Sequence, residues 1–364
     1  MPVNLGAFVR SLSVFTQQQL MLEHAAGASG EDFCLERQGD VLAETGLVVV
    51  VPGDDPVQIA NSPQLDRLRS LAEVRVFHDR PATIDEQITR ASDAQILINS
   101  RGQVHWREEA LSQLPKLKMI AICSIGTDSI DLVSARQRGI VVSNIPGKTA
   151  PVVAEHAFSL MLAAARRVAF QTAELKAGRW TRAENISLTG KTVGVIGTGA
   201  IGRQMIRLCQ ALGMRVLAWT FHPSAERAAD LGVTFVDRDE LFRESDVVSL
   251  HVKLTDQTAN LVDREALAMM KPGALLINTA RGGVVDRDAL VESLHSGHLA
   301  GAGLDVFATE PLPVDDPLLQ CDQVVLTPHN ADQTPEGVEL LNTGAVDNVL
   351  AFLDGSPQNV VTGD

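Results

Sequence analysis

The chain contains no tyrosine, so phenol-based acid, base or nucleophilic chemistry is excluded. Its four cysteines, Cys34, Cys123, Cys209 and Cys321, form no CxxC pair. No HExxH and no paired Cys/His cluster is present either, so the sequence offers no metal site. Buried free thiols in a reducing compartment are the expected state of the cysteines. Basic residues are also short, with 31 Lys and Arg against 45 Asp and Glu and a formal net charge of −14. Nucleic acid and anionic membrane reward basic patches, so neither is expected as a partner. The longest plainly apolar helical run, AFSLMLAAA (157–165), is far below the ~20 residues that span a bilayer. Arg10 and the QQQ run at 17–19 spoil the amino terminus as a secretory leader. A cytoplasmic protein is the expectation. At 364 residues, 45% hydrophobic and 21% charged, the chain has room for two separate cores.

Residues 1–45 carry no functional reading, although VFTQQQLMLEHAA (14–26) has helical character. From LVVVVP (47–52) a βα rhythm sets in. VRVF (74–77), AQILINS (94–100), KMIAICS (118–124) and GIVVSNI (139–145) are predicted strands, with helices between them. Continuous apolar strands alternating with helices imply a parallel sheet covered on both faces. NIPGKTAP (144–151) breaks the rhythm and is the candidate domain boundary. A long helix is predicted from about Val152 through Arg167. A second series follows, with six predicted strands at 191–197, 214–220, 233–236, 246–252, 274–280 and 301–307. The last predicted element is a helix over 334–353 that returns to the first domain.

Two features carry chemistry. The first is Gly197-x-Gly199-x-x-Gly202, which follows an apolar strand and opens a helix. In that context Gly197 permits the tight turn, Gly199 lets a pyrophosphate approach the backbone, and Gly202 lets helix and strand pack closely. The free amides near Ala200 and Ile201 then face anionic oxygen. The acid expected at the end of the next strand, to hold the ribose hydroxyls, is replaced by Thr220. His222 and Arg227 lie just beyond it, so NAD and NADP both remain open.

The second feature is a set of three blocks, INTARGGVVD (277–286), GLDVFATEP (303–311) and LTPHNADQTPEG (326–337). They place Arg281, Glu310 and His329 beside predicted strand ends. A histidine backed by a carboxylate is a tunable proton donor and acceptor near neutral pH. An arginine holds a carboxylate by two parallel hydrogen bonds. With a dinucleotide turn upstream, these parts point to hydride transfer to or from a 2-keto or 2-hydroxy acid.

On these blocks, together with LPKLKMIAICSIGTDSIDL (114–132) and VAEHAFSLMLAAARR (153–167), the chain resembles the D-isomer-specific 2-hydroxyacid dehydrogenase family from about residue 90 to 354. The resemblance implies two Rossmann-like domains, doubly wound parallel sheets with a cleft between them. The substrate domain, flavodoxin-like, would be 1–146 plus 331–364, the NAD(P)-binding domain 147–330, and the assembly a homodimer. It also implies roles. Arg281 holds the substrate carboxylate, His329 is the general acid in reduction and the base in oxidation, and Glu310 orients His329. Asp305 would hold the nicotinamide carboxamide. Thr279, Ala280 and Val153 would line the nicotinamide site, and His251, Val252 and Thr258 would flank the adenosine and phosphates. Backbone amides around Ser124, Ile125 and Gly126 would supplement Arg281. The loop bearing Arg101 lies over the substrate in the family, so Arg101 is expected to meet a second anionic group. His156 is read as a packing residue. Formate dehydrogenases resemble the same pattern but carry glutamine where Glu310 stands. A phosphoglycerate dehydrogenase with an appended regulatory domain is not expected from the chain's length. The alternative from another class is a dinucleotide-sensing protein like the corepressors that resemble this family.

Overall fold

Valine, isoleucine and leucine runs build two all-parallel sheets, one of five strands and one of seven. The structure is a computed structural model that describes residues 46–363. The helix expected over 14–26, and Cys34, lie outside the described residues. The fold divides into two units: one runs to Lys148 and resumes at Pro335, and the other is Thr149–Thr334. The resemblance had placed these breaks after 146 and 330.

In the first unit the strands are β1 (Val48–Val51), β2 (Glu73–Val76), β3 (Ile96–Ser100), β4 (Met119–Cys123) and β5 (Val141–Ser143), in the order β2-β1-β3-β4-β5. That is the flavodoxin-like order, whose switch point lies between β1 and β3. Because side chains alternate across a strand, Val49, Val51, Ile96 and Ile98 enter one core and Val48, Val50, Leu97 and Ile120 another. The first of these cores is closed by the helix Pro335–Leu353, through Leu341, Ala345, Val346, Val349 and Phe352.

In the second unit the strands are β6 (Thr192–Ile196), β7 (Arg215–Trp219), β8 (Thr234–Phe235), β9 (Val247–Leu250), β10 (Ala274–Asn278), β11 (Leu299–Leu304) and β12 (Val324–Leu326). Their order is β12-β11-β10-β9-β6-β7-β8, with the switch point between β6 and β9. Here the sequence reading is corrected twice. The set has seven strands, because the short run Val324–Leu326 pairs with β11. The long helix ends at Ala165, Arg167 takes a left-handed φ of 50°, and a separate helix follows over Val168–Lys176. The helix Ala150–Ala165 lies close on β11. A Cβ added at Gly303 would stand 2.9 Å from the Cβ of Leu160, so glycine is what permits the approach.

Part of the acidic surplus is structural. Asp131, Asp237, Asp263 and Asp286 each accept the backbone N–H three residues on, at the start of a helix. Such caps contribute about 1 kcal/mol each. Among the described residues no helix is long and apolar enough to cross a membrane.

Candidate active site

Three neighbouring parallel strands, β10, β11 and β12, end on the same edge of the second sheet. The segments that leave them carry Arg281, Asp305, Glu310 and His329. Asn278, the last residue of β10 and buried, clamps the first of these segments. Its Oδ1 accepts the Ala280 N–H (2.9 Å) and its Nδ2 donates to the Arg281 carbonyl (2.9 Å). Gly282 must be glycine, because a Cβ there would overlap the backbone of Phe307 and Ala308. The Arg281 segment is therefore seated directly on the segment that leads to Glu310.

His329 Nδ1 and Glu310 Oε2 are 2.7 Å apart, and the second carboxylate oxygen, Oε1, accepts the Phe307 N–H at 2.9 Å. The hydrogen bond to Glu310 raises the His329 pKa above its ordinary value. Burial and the Arg281 charge oppose that rise, and the charges of Glu310 and Asp305 support it. Burial alone would raise the Glu310 carboxyl, but the bonds from His329 and Phe307, with the charges of His329 and Arg281, hold it below the usual range. The arrangement can store a proton on an imidazole beside a fixed positive charge. His329 also sits in the left-handed region, at φ 50°. For a residue with a side chain that costs about 1–3 kcal/mol and persists only where neighbours over-determine it.

The neighbours are supplied by Asp305, which is fully buried. The Asp305 carbonyl accepts the His329 N–H (2.8 Å). Its Oδ1 accepts from Thr327 Oγ1 (2.6 Å) and the Asn330 N–H (3.0 Å), and its Oδ2 accepts the Ala331 N–H (3.1 Å). His156 Nε2 lies 3.4 Å from Oδ1. Burial would raise the Asp305 pKa, but these donors, His156 foremost, hold it below the ordinary value. A carboxylate has about four lone-pair sites. Oδ1 takes three of these contacts and Oδ2 one, so Oδ2 retains acceptor capacity for the carboxamide contact expected of Asp305.

The glycine turn lies at the C-terminal end of β6. Gly197 has φ +94°, and a Cβ there would overlap the His251 carbonyl, while one on Gly202 would overlap the Gly197 carbonyl. Both glycines are required by packing. Gly199 differs: a Cβ there would meet nothing within 4 Å. It is the N-cap of the helix Ala200–Ala211, with no side chain capping the first turn. An open backbone surface before an uncapped helix start fits a pyrophosphate. Val153 is buried in the first turn of the helix Ala150–Ala165. Thr279 is buried with no partner for its hydroxyl oxygen, which leaves it available to a ligand beside Ala280. His251 and Val252 line the turn, and burial pushes the His251 imidazole down to about 4. Thr258 is engaged by its own loop, donating to the Lys253 carbonyl (2.5 Å) and accepting the Thr255 N–H (2.8 Å). Thr220 follows β7 directly. Arg227 bonds to the Thr198 hydroxyl (2.6 Å) and the His222 carbonyl (2.5 Å), which fixes its charge at the turn.

The remaining expected residues belong to the first unit. Arg101 follows β3 at that sheet's switch point, with φ 53°, and its Nε donates to Gln58 Oε1 at 3.1 Å. Buried Asp54 secures the same corner through Ser100 Oγ (2.6 Å) and the amides of Gln58, Ile59 and Ala60. Ser124, Ile125 and Gly126 form the turn after β4. Ser124 Oγ donates to the Gly126 carbonyl and Asn144 Nδ2 to that of Ile125. Sequence reasoning missed Asn278, Thr327 and Asp54. Each is a short polar residue at a strand end, the signal of a local side-chain-to-backbone clamp.

Comparison with known proteins identifies the family. Residues 158–331 match the family model described as "D-isomer specific 2-hydroxyacid dehydrogenase, NAD binding domain". The hydroxypyruvate reductase of Thermotoga maritima is 46% identical over 235 residues, 62% of this chain and 76% of that protein. The D-3-phosphoglycerate dehydrogenase of Mycobacterium leprae is 42% identical over 249 residues, 68% of this chain and 47% of that protein. This chain spans about half the length of the phosphoglycerate dehydrogenases it matches. The structure of D-lactate dehydrogenase from Aquifex aeolicus, complexed with NAD and lactic acid, superposes with a TM-score of 0.76 at 31% identity, covering 87% of this chain and 99% of the other. By sequence and by fold, the chain belongs to the D-isomer specific 2-hydroxyacid dehydrogenase family.

Proposed function

We propose that the protein transfers a hydride between a nicotinamide dinucleotide and a small 2-keto or D-2-hydroxy acid. The observation that carries the reading is the 2.7 Å His329–Glu310 pair beside the Arg281 charge, in the sheet that also bears the open glycine turn. When bound, the dinucleotide supplies the hydride. Gly199 and the helix start at Ala200, Ile201 and Gly202 hold its pyrophosphate, and Thr279, Ala280 and Val153 border the nicotinamide. Arg281 binds the substrate carboxylate through its planar fork. Its charge also polarises the neighbouring carbonyl. His329 delivers a proton to the carbonyl oxygen in reduction and removes it in oxidation, and Glu310 fixes the ring through Nδ1, leaving Nε2 for substrate. The cofactor on this reading is NAD or NADP, because no acid stands at Thr220 to repel a 2′-phosphate. The direct test is turnover of each cofactor with glyoxylate, hydroxypyruvate, pyruvate and a dianionic 2-ketoacid. Tight dinucleotide binding without turnover of any substrate would favour the sensor alternative.

We also assign Arg101 to the far end of the substrate, supported by the hold of Gln58 on its Nε and by its place at a switch point, where α/β sheets bind ligands. Arg101→Ala should raise KM for a dianionic 2-ketoacid by about 10- to 100-fold, the range of one charge-assisted pair, and leave glyoxylate within about twofold. Equal effects on both substrates would remove Arg101 from this role.

The active form on this reading is a cytoplasmic homodimer. The helix Val168–Lys176 has no buried residue, and Val168, Leu175 and Trp180 are exposed apolar side chains, Trp180 at 79%. Arg179 and Thr181 both bond to Glu174, which pulls that carboxyl down to about 2 and pins the turn that presents Trp180. An ordered apolar face of this kind is a candidate interface. Trp180→Glu with Leu175→Glu should halve the mass seen by analytical ultracentrifugation. An unchanged sedimentation coefficient would place the interface elsewhere.

A further inference from the structure

We propose that His156, Thr327 and Asp305 form a hydrogen-bonded relay that fixes the left-handed turn at His329, and that His156 is its anchoring, positioning residue. The inference rests on the proposed activity only for its kinetic readout.

The direction of each bond follows from counting hydrogens. Thr327 has one hydroxyl hydrogen, and the 2.6 Å contact to Asp305 Oδ1 requires it, because a carboxylate only accepts. Thr327 Oγ1 therefore accepts in its 2.9 Å contact with His156 Nε2. His156 must then carry its proton on Nε2, which also aims that N–H toward Asp305 Oδ1 at 3.4 Å. His156 belongs to the helix Ala150–Ala165, Thr327 to the residue just after β12, and Asp305 to the residue just after β11. The relay thus ties a helix to two strand ends, and the segment Thr327–Ala331 hangs on it. Four donors converge on the Asp305 carboxylate, and its carbonyl takes a fifth, the His329 N–H. The approach that brings His156 within reach depends on Gly303, against which Leu160 of the same helix is packed.

Three charged groups act on the His329 imidazole: Glu310 and Asp305, which favour its protonated form, and Arg281, which opposes it. His156 Nε2 lies 3.4 Å from Asp305 Oδ1. Loosening the relay lets the Thr327–Ala331 segment drift, so His329 parts from Glu310 while the glycine turn is untouched. The consequence is loss of proton transfer with the dinucleotide site intact. A relay that served only the cofactor through Asp305 would give the reverse, weakened dinucleotide binding.

The experiment compares wild type with Thr327→Val, which is isosteric and cannot donate or accept, and with His156→Leu and His156→Gln. Three quantities are read: the His329 titration by NMR, assigned by its disappearance in His329→Gln; the Kd for NADH and NADPH by fluorescence; and kcat and KM with the best 2-ketoacid. In Thr327→Val and His156→Leu, His329 should titrate at lower pH than in wild type. There kcat should fall between about ten- and hundredfold, the effect of a small misplacement, with Kd and KM within about twofold. His156→Gln, whose amide can still donate, should recover most of the loss. An unchanged His329 titration and kcat in Thr327→Val would overturn the relay, as would a dinucleotide Kd that weakens in step with kcat. If wild type turns over no 2-ketoacid the proposed activity fails, while the NMR titration still decides the relay. Should Thr327→Val fold poorly, the His156 pair carries the same comparison.

Discussion

His329→Gln should lower kcat for 2-ketoacid reduction by about 10²–10⁴-fold, the range a positioned general acid contributes, or roughly 3–5 kcal/mol of transition-state stabilisation. Glutamine keeps a donor near the Nδ1 position but has no proton to transfer at neutral pH. Dinucleotide binding should persist, because the glycine turn lies at another strand end of the same sheet. The pH dependence gives a second, signed outcome. Glu310 raises the His329 pKa, so the protonated form needed for reduction survives to higher pH than an isolated imidazole allows, and kcat/KM declines as pH rises through that raised value. Oxidation needs the neutral ring and rises over the same interval. Glu310→Gln removes the main raising influence, and both limbs should move to lower pH. If either limb stays in place in that variant, His329 is not the group titrating.

The segments of the candidate site were legible in the sequence because the proposed chemistry demands uncommon residues in fixed company: an arginine between a strand and a Gly-Gly turn, a glutamate before proline, a histidine after proline. The parallel sheets were legible for a similar reason, since buried strands must be apolar along their whole length. What escaped was short or cooperative. Val324–Leu326 is three residues long, too short for a period, and is a strand only because β11 offers an edge. The break at Arg167 was hidden within strongly helical neighbours, and a left-handed arginine leaves no mark in composition. The hydrogen-bond set around Asp305 depends on Thr327, Asn330, Ala331 and His156, which no pattern within one segment could bring together. His156, read as a packing residue, is where that limit mattered most.

Arg281→Ala should cost about 2–5 kcal/mol in kcat/KM, the loss from truncating one partner of a desolvated, hydrogen-bonded charge pair, which is on the order of 10²–10³-fold at the middle of that range. The fold should survive it, because Asn278 holds the Arg281 segment through the backbone of Ala280 and Arg281 rather than through the side chain. Arg281→Lys restores the charge but not the planar fork, and an ammonium cannot reproduce two parallel bonds to a carboxylate. Its recovery should therefore stay partial, no more than about tenfold. The electrostatics again give a sign. Arg281 opposes protonation of His329, so in Arg281→Ala the pH limb for reduction should move upward, opposite to its displacement in Glu310→Gln. In Arg281→Lys the limb should stay near the wild-type position. One imidazole driven in opposite directions by its two charged neighbours is the signature expected if Arg281, Glu310 and His329 act together. Limbs moving the same way in both variants would separate Arg281 from the proton-transfer step.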